Sequence, residues 1–176
     1  MSVASIVTLV GNPKPASRTY AAAVAAADAL SREIGYGGSR DVVDLAALAP
    51  TLLGPSPSPG VEVALDLVKG ADVLIVASPT YKGTYTGLLK VFLDRLPPGA
   101  LVGAVALPLL VVGDARHALA VEVHLRPLLV ELGAAVPTPG LALPEAELPQ
   151  VDDVVSQWAV KVAPQVAAHR GRGVTV

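Results

Sequence analysis

Three short polar stretches of the chain carry residues able to do chemistry, and each interrupts an otherwise apolar sequence. The first is GNPKPASRTY (11–20), where Ser17, Arg18 and Thr19 open a helical stretch. Two hydroxyls, a guanidinium and the free amides of a helix N-terminus together form a receptor for an anion. The same residues also read as an ordinary N-cap followed by a solvated arginine. The second is ASPTYKGTYTG (77–87), which holds two of the four tyrosines. Pro79 stiffens the exit from the preceding apolar run, glycine lets backbone amides approach a flat ligand closely, and Tyr81 or Tyr85 could border a ring. A turn whose tyrosines merely pack on neighbouring helices fits the same residues. The third is VVGDARHAL (111–119), with Gly113 at a strand end, Asp114 at a helix N-cap position and His117 in the first turn, where a histidine is more often structural than catalytic.

Other chemistries are absent from the sequence. There is no GxxxxGK[ST] phosphate loop, and the first strand exits into Gly11-Asn12-Pro13 rather than a GxGxxG fingerprint. Gly35-Tyr36-Gly37-Gly38 looks glycine-rich, but it follows a helix and fails that context. The chain has no cysteine and 3 histidines without metal-ligand spacing, so neither a thiol nucleophile nor a zinc site is read from it. No GxSxG elbow is present. No catalytic acid, base or nucleophile and no metal ligand is assigned.

The elements that must position these loops alternate along the chain. Strands are predicted at 5–11, 40–46, 71–78, 101–113 and, weakly, 134–144; helices at 17–35, 61–70, 86–96, 115–133 and 151–170. Ser17 is the expected N-cap and Gly35 the stop of the first helix. The proline-rich stretch 49–60 is expected to be an irregular surface loop. Pro108 counts against a central place for the fourth strand, and Pro127 should kink the fourth helix. This order gives one α/β domain over 1–176, with a frayed tail at 171–176. Its core is a doubly wound sheet of five parallel strands in the order 2-1-3-4-5. Ligands bind such sheets beyond the carboxyl ends of the strands, where the order reverses. The three polar loops follow strands 1, 3 and 4, at or beside that point.

Composition agrees. Hydrophobic residues make up 52%, mostly Ala, Val and Leu, with 3% aromatics, which suits helices packed on a buried parallel sheet. A net charge of −2 without charge runs offers no nucleic-acid groove and no polybasic membrane patch. No apolar run approaches the roughly 20 residues of a membrane span, and the start MSVASIVTLVGNP lacks the features of a signal peptide. A cytoplasmic protein is the expectation.

Taken together, GNPKPASRT, ASPTYKGTYTGLLKVFLDRLP and GDARHALAVEVHLRPLLVELGA resemble the NAD(P)H-dependent FMN reductases of flavodoxin-like fold. They are similar in particular to the small reductases that supply reduced FMN to two-component alkanesulfonate monooxygenases. The resemblance runs from the first strand to about Gly133. It implies a phosphate loop on Gly11, Asn12, Ser17, Arg18 and Thr19, with Asn12 replacing a serine common in the family. It implies an isoalloxazine-cradling segment on Pro79, Thr80, Tyr81, Lys82 and Gly83, continuing to Leu89 and Lys90. It implies a loop beside the ring at Gly113, Asp114 and His117, where relatives often read G-G-[ST]-x-x-H. The cofactors implied are FMN with NADPH or NADH. The implied assembly is a homodimer or homotetramer, for which the apolar positions Leu119, Ala120, Val123, Leu128 and Leu129 suit an interface as well as they suit a core. A flavin carries hydride transfer itself, in keeping with a chain that shows no nucleophile–base pair. His124 is given no role. Two alternatives stand beside this reading. One is a reductase with tightly bound FMN acting on quinones, azo compounds or metal oxyanions. The other is a non-enzymatic flavodoxin-like electron carrier, disfavoured by the weak net charge.

Overall fold

The computed structural model describes residues 3–54 and 58–171. Five parallel strands form one sheet in the order β2-β1-β3-β4-β5, the flavodoxin-like doubly wound order expected from the sequence. They are β1 (Ile6–Val10), β2 (Arg40–Asp44), β3 (Val73–Pro79), β4 (Val105–Val112) and β5 (Leu141–Pro144). Every residue of β1, β3 and β4 is buried, which is why these strands read as unbroken apolar runs rather than alternating ones.

The two sheet faces carry separate cores. On one face Ile6, Val10, Val73, Ile75 and Leu109 meet the alanines of α1 (Arg18–Glu33) and Trp158, Ala159 and Val162 of α6 (Val151–Gly171). Small residues on α1 let that helix lie close to the sheet. On the other face Val7, Leu9, Leu74, Val76 and Leu110 share a core with α3 (Pro59–Lys69), through Val61, Leu65 and Val68, with α4 (Gly87–Leu93), through Leu89, Phe92 and Leu93, and with residues from the segments 45–52 and 120–132. No helix of the described residues is long and apolar enough to cross a membrane.

Four sequence expectations change. The stretch expected as strand end and irregular loop contains a helix, α2 (Leu45–Leu52), with Pro50 inside it. Asp44 ends β2 and starts α2 by accepting from Ala46 N at 3.1 Å, and Leu45 and Leu52 are buried. Of that proline-rich stretch, residues 55–57 lie outside the described residues, as do residues 172–176 of the tail; α6 itself runs to Gly171. Pro108 does lie in an interior strand, opposite Val76, but β5 pairs with β4 only from Leu109 onward. The missing N–H therefore falls before that ladder begins.

The helix expected over 115–133 is three pieces: a 3₁₀ turn at Ala115–His117, a π-helical turn at Val121–Leu125 and α5 (Arg126–Glu131). The wide turn, in which Arg126 N reaches Val121 O, falls immediately before Pro127. In a regular helix the proline ring would crowd the carbonyl of Val123. Arg126 anchors this region to the approach to β5, donating to the carbonyls of Val136 and Thr138 and pairing with Glu122, which in turn accepts from Gly140 N. Arg126 holds the Glu122 carboxyl below the ordinary carboxylate range. Of the apolar positions put forward for an interface, Ala120 and Leu129 are buried, Leu128 is partly buried against the core, and Leu119 and Val123 are exposed, as is Val130.

Candidate functional site

At the carboxyl end of β1 the chain leaves the sheet through Gly11, whose N–H donates to Ala77 O at 2.8 Å. A Cβ built on Gly11 would stand 2.6 Å from Cβ of Leu89, so glycine is what lets α4 pack across this exit. Thr86 locks the same junction. Its hydroxyl donates to Gly11 O at 2.6 Å and accepts from Leu89 N at 3.2 Å as the α4 N-cap, while its own N–H donates to Ser78 Oγ at 3.0 Å. One buried threonine thus ties the exits of β1 and β3 to the helix between β3 and β4. Sequence reading did not single out Thr86 or Ser78, although a threonine before an apolar helical run is an N-cap signal.

The loop after Gly11 is braced from within. Asn12 is buried; its Nδ2 donates to Thr19 Oγ1 at 3.1 Å and its Oδ1 accepts from Lys14 N at 2.9 Å. Ala16 takes a left-handed conformation (φ 48°), and Ser17 then caps α1, its Oγ accepting from Tyr20 N at 3.1 Å. That hydroxyl keeps its own proton to donate. Arg18 and Thr19, the first helical residues, have amides without intrahelical acceptors by position. The Arg18 guanidinium meets Glu145, which follows β5, at 3.2 Å.

The exit of β3 is built as a hairpin. Thr80 N donates to Val111 O at 2.9 Å, prolonging the β3–β4 ladder, and Tyr81 N donates to Thr84 O at 2.8 Å. The two residues between, Lys82 (φ 55°) and Gly83 (φ 85°), are both left-handed, the conformation of a type I′ turn. The turn lifts Tyr81 out of the sheet and leaves it 45% exposed, whereas Tyr85 folds back against the α4-side core. For Tyr85 the packing alternative holds.

These two loops enclose a cavity of about 320 Å³ lined by Asn12, Lys14–Thr19, Pro79, Tyr81, Val111 and Glu145. Of the residues put forward from the sequence, six line it: Asn12, Ser17, Arg18, Thr19, Pro79 and Tyr81. Lys14, Pro15, Ala16, Val111 and Glu145 are lining residues that sequence reading had not named. Glu145 could have been found from its place at the exit of the fifth strand.

Gly11 and Thr80 are not among the lining residues; Thr80 holds Val111 O through both its N–H and its hydroxyl, and Lys82 and Gly83 form the turn beyond Tyr81. The third loop stands to one side. Asp114 caps its 3₁₀ turn by accepting from Arg116 N at 2.8 Å and pairs with the Arg116 side chain, which holds its carboxyl well below the usual carboxylate range. His117 lies near the turn, 4.0 Å from where a Cβ on Gly83 would be, and Gly113 lies against Glu145. Among the described residues no group of three or more His, Asp or Glu side chains is placed to hold a metal ion.

The cavity is lined by hydroxyl, cationic and helix N-terminal groups, by one carboxylate, Glu145, paired with Arg18, and by proline, tyrosine and valine. That donor set fits a ligand with an anionic tail and a flat ring, as FMN is. Comparison with known proteins agrees. The family model for NADPH-dependent FMN reductase matches residues 4–147. An FMN reductase (NADPH) of Escherichia coli K12 is 38% identical over 131 residues, 73% of this chain and 67% of that protein. The NADH-dependent FMN reductase SfnE of Pseudomonas putida is 33% identical over 170 residues, 94% of this chain and 89% of its own. Two further Pseudomonas FMN reductases are matched over 46% and 48% of their lengths. Among solved structures, the apo form of the NADH:FMN oxidoreductase EMOB superposes with a TM-score of 0.80 at 31% identity, covering 98% of this chain and 91% of that one.

Proposed function

The chain belongs to the NADPH-dependent FMN reductase family, and from that premise we propose how this NAD(P)H:FMN oxidoreductase holds its flavin and what it does with it. The flavin phosphate lies at the N-terminus of α1, bound by the Ser17 hydroxyl, the Arg18 guanidinium and Lys14, where the helix dipole favours negative charge. Asn12 and Thr19, engaged with each other, keep that loop in shape. Pro79, Tyr81 and Val111, which line the cavity, would border the isoalloxazine ring. The bound flavin supplies the hydride chemistry; the chain's residues bind, orient and leave one ring face open to the nicotinamide. No side chain serves as an obligatory acid or base.

The observation that carries this reading is the single cavity joining the α1 loop to Pro79 and Tyr81. A further part of the proposal is that reduced FMN leaves to serve a separate monooxygenase in the cytoplasm. Tyr81, 45% exposed where it lines the cavity, supports an exchangeable rather than an enclosed flavin. A homodimer or homotetramer would cover the exposed Leu119, Val123 and Val130, and solution mass by light scattering tests it.

The deciding experiment is steady-state oxidation of NADH and of NADPH with and without added FMN. Fast oxidation that requires FMN and saturates with it is the expected result; no flavin-dependent oxidation of either nucleotide overturns the reading. A colourless protein after gel filtration is expected for exchangeable flavin, and retained yellow colour would mark FMN as resident.

A further inference from the structure

We propose that Glu145 is a built-in competitor for the anion end of this cavity and sets how loosely a phosphate-bearing flavin is held. The inference rests on the reading of loop 11–19 as the phosphate end of the flavin site. Glu145 follows directly on β5 and lines the cavity together with Lys14, Ser17 and Arg18. Its Oε2 lies 3.2 Å from Nη2 of Arg18, the guanidinium best placed to meet a phosphate. Gly113 closes in from the third loop, where an added Cβ would sit 3.9 Å from the Glu145 carboxyl carbon.

Neither partner is buried: the Arg18 and Glu145 side chains are 66% and 45% exposed. An ion pair so open to water adds little to stability, so the fold does not require a carboxylate here. Its consequence falls on the ligand. A phosphate approaching Ser17 and the α1 N-terminus must take Arg18 from Glu145, or share it and accept a like charge nearby. Both routes weaken binding of the phosphate without touching the ring end. Such a device suits an enzyme whose flavin must depart after reduction, since ground-state binding beyond need slows release.

The opposite role is also physically sensible: Glu145 could hold Arg18 in the orientation a phosphate needs. The two roles predict opposite signs. The test is titration of FMN and riboflavin, which lacks the phosphate, against the wild-type protein, Glu145→Gln, Arg18→Gln and the double variant, with KM values measured alongside. Competition predicts that Glu145→Gln tightens FMN binding roughly three- to ten-fold, raises the FMN-to-riboflavin affinity ratio, and lowers the KM for FMN relative to that for the nucleotide. The gain should shrink when Arg18 is also replaced. Unchanged or weaker FMN binding by Glu145→Gln overturns the proposal, as does a full-sized gain in the absence of Arg18. Equal affinity of the wild-type protein for FMN and riboflavin, unaffected by Arg18→Gln, overturns the phosphate-end reading itself and the proposal with it.

Discussion

The loop after β1 and the loop after β3 face one another across the cavity, yet they are held in opposite ways. Residues 12–19 are fastened largely to themselves, with Asn12 bonded to Thr19 and to Lys14 and Ser17 capping the helix it introduces, while Gly11 before them is pinned from outside by Thr86. Residues 79–84 are fastened to the sheet at Thr80 and then turn back on themselves through two left-handed residues, leaving Tyr81 to project. The first construction suits an anion, whose binding depends on donors fixed in advance. The second suits a flat ring, which needs an accessible surface more than a fixed set of hydrogen bonds.

Substitutions should separate the two walls. The largest effect is expected from Gly11→Ala, because the new methyl group meets Leu89 Cβ at 2.6 Å with backbone on one side and a buried helix on the other. Overpacking of this kind costs about 1–3 kcal/mol, and urea unfolding should show it together with weakened flavin binding. A fully stable Gly11→Ala protein would mean that α4 moves freely over the β1 exit. Next comes Arg18→Ala, expected to weaken FMN about ten- to a hundred-fold while changing riboflavin far less, as read by fluorescence titration.

Tyr81→Ala should weaken FMN and riboflavin alike, by roughly three- to ten-fold. An Arg18 variant that lost both ligands equally, or a Tyr81 variant that lost only FMN, would break the division of labour between the walls. The smallest effect belongs to Lys82→Gly. Relief of the left-handed lysine, offset by the greater backbone freedom of glycine when unfolded, should leave stability within about 1 kcal/mol of the wild type by thermal unfolding.

The same contrast explains what could be read from the sequence. Strands β1, β3 and β4 were legible because burial on both faces demands continuous apolar runs, and the alternation of strand and helix implied a parallel doubly wound sheet, of which 2-1-3-4-5 is one common order. Ser17 was legible as a cap because capping is local. Glu145 was legible only as a residue at a strand exit, because its meaning comes from Arg18, a residue far away in the chain that only the folded sheet brings near. Asn12 was legible as part of a loop, but its pairing with Thr19 needs the three-dimensional turn at Ala16. Helix α2 was hidden because Asp44 ends one element and begins another in the same residue, and Pro50 reads as a breaker when seen without its buried neighbours. The π-helical turn was hidden for a related reason: Pro127 signals a disturbance, but the way the backbone absorbs it depends on the carbonyls that Arg126 can reach around β5.

The central claim, that both walls grip one flavin, is tested most directly by amide chemical-shift mapping while FMN is titrated into the isotopically labelled protein. The account predicts that the amides of Asn12, Lys14 and Ala16–Thr19 shift together with those of Thr80–Thr84, along a single binding curve. Shifts confined to one loop, or centred elsewhere on the molecule, would contradict it.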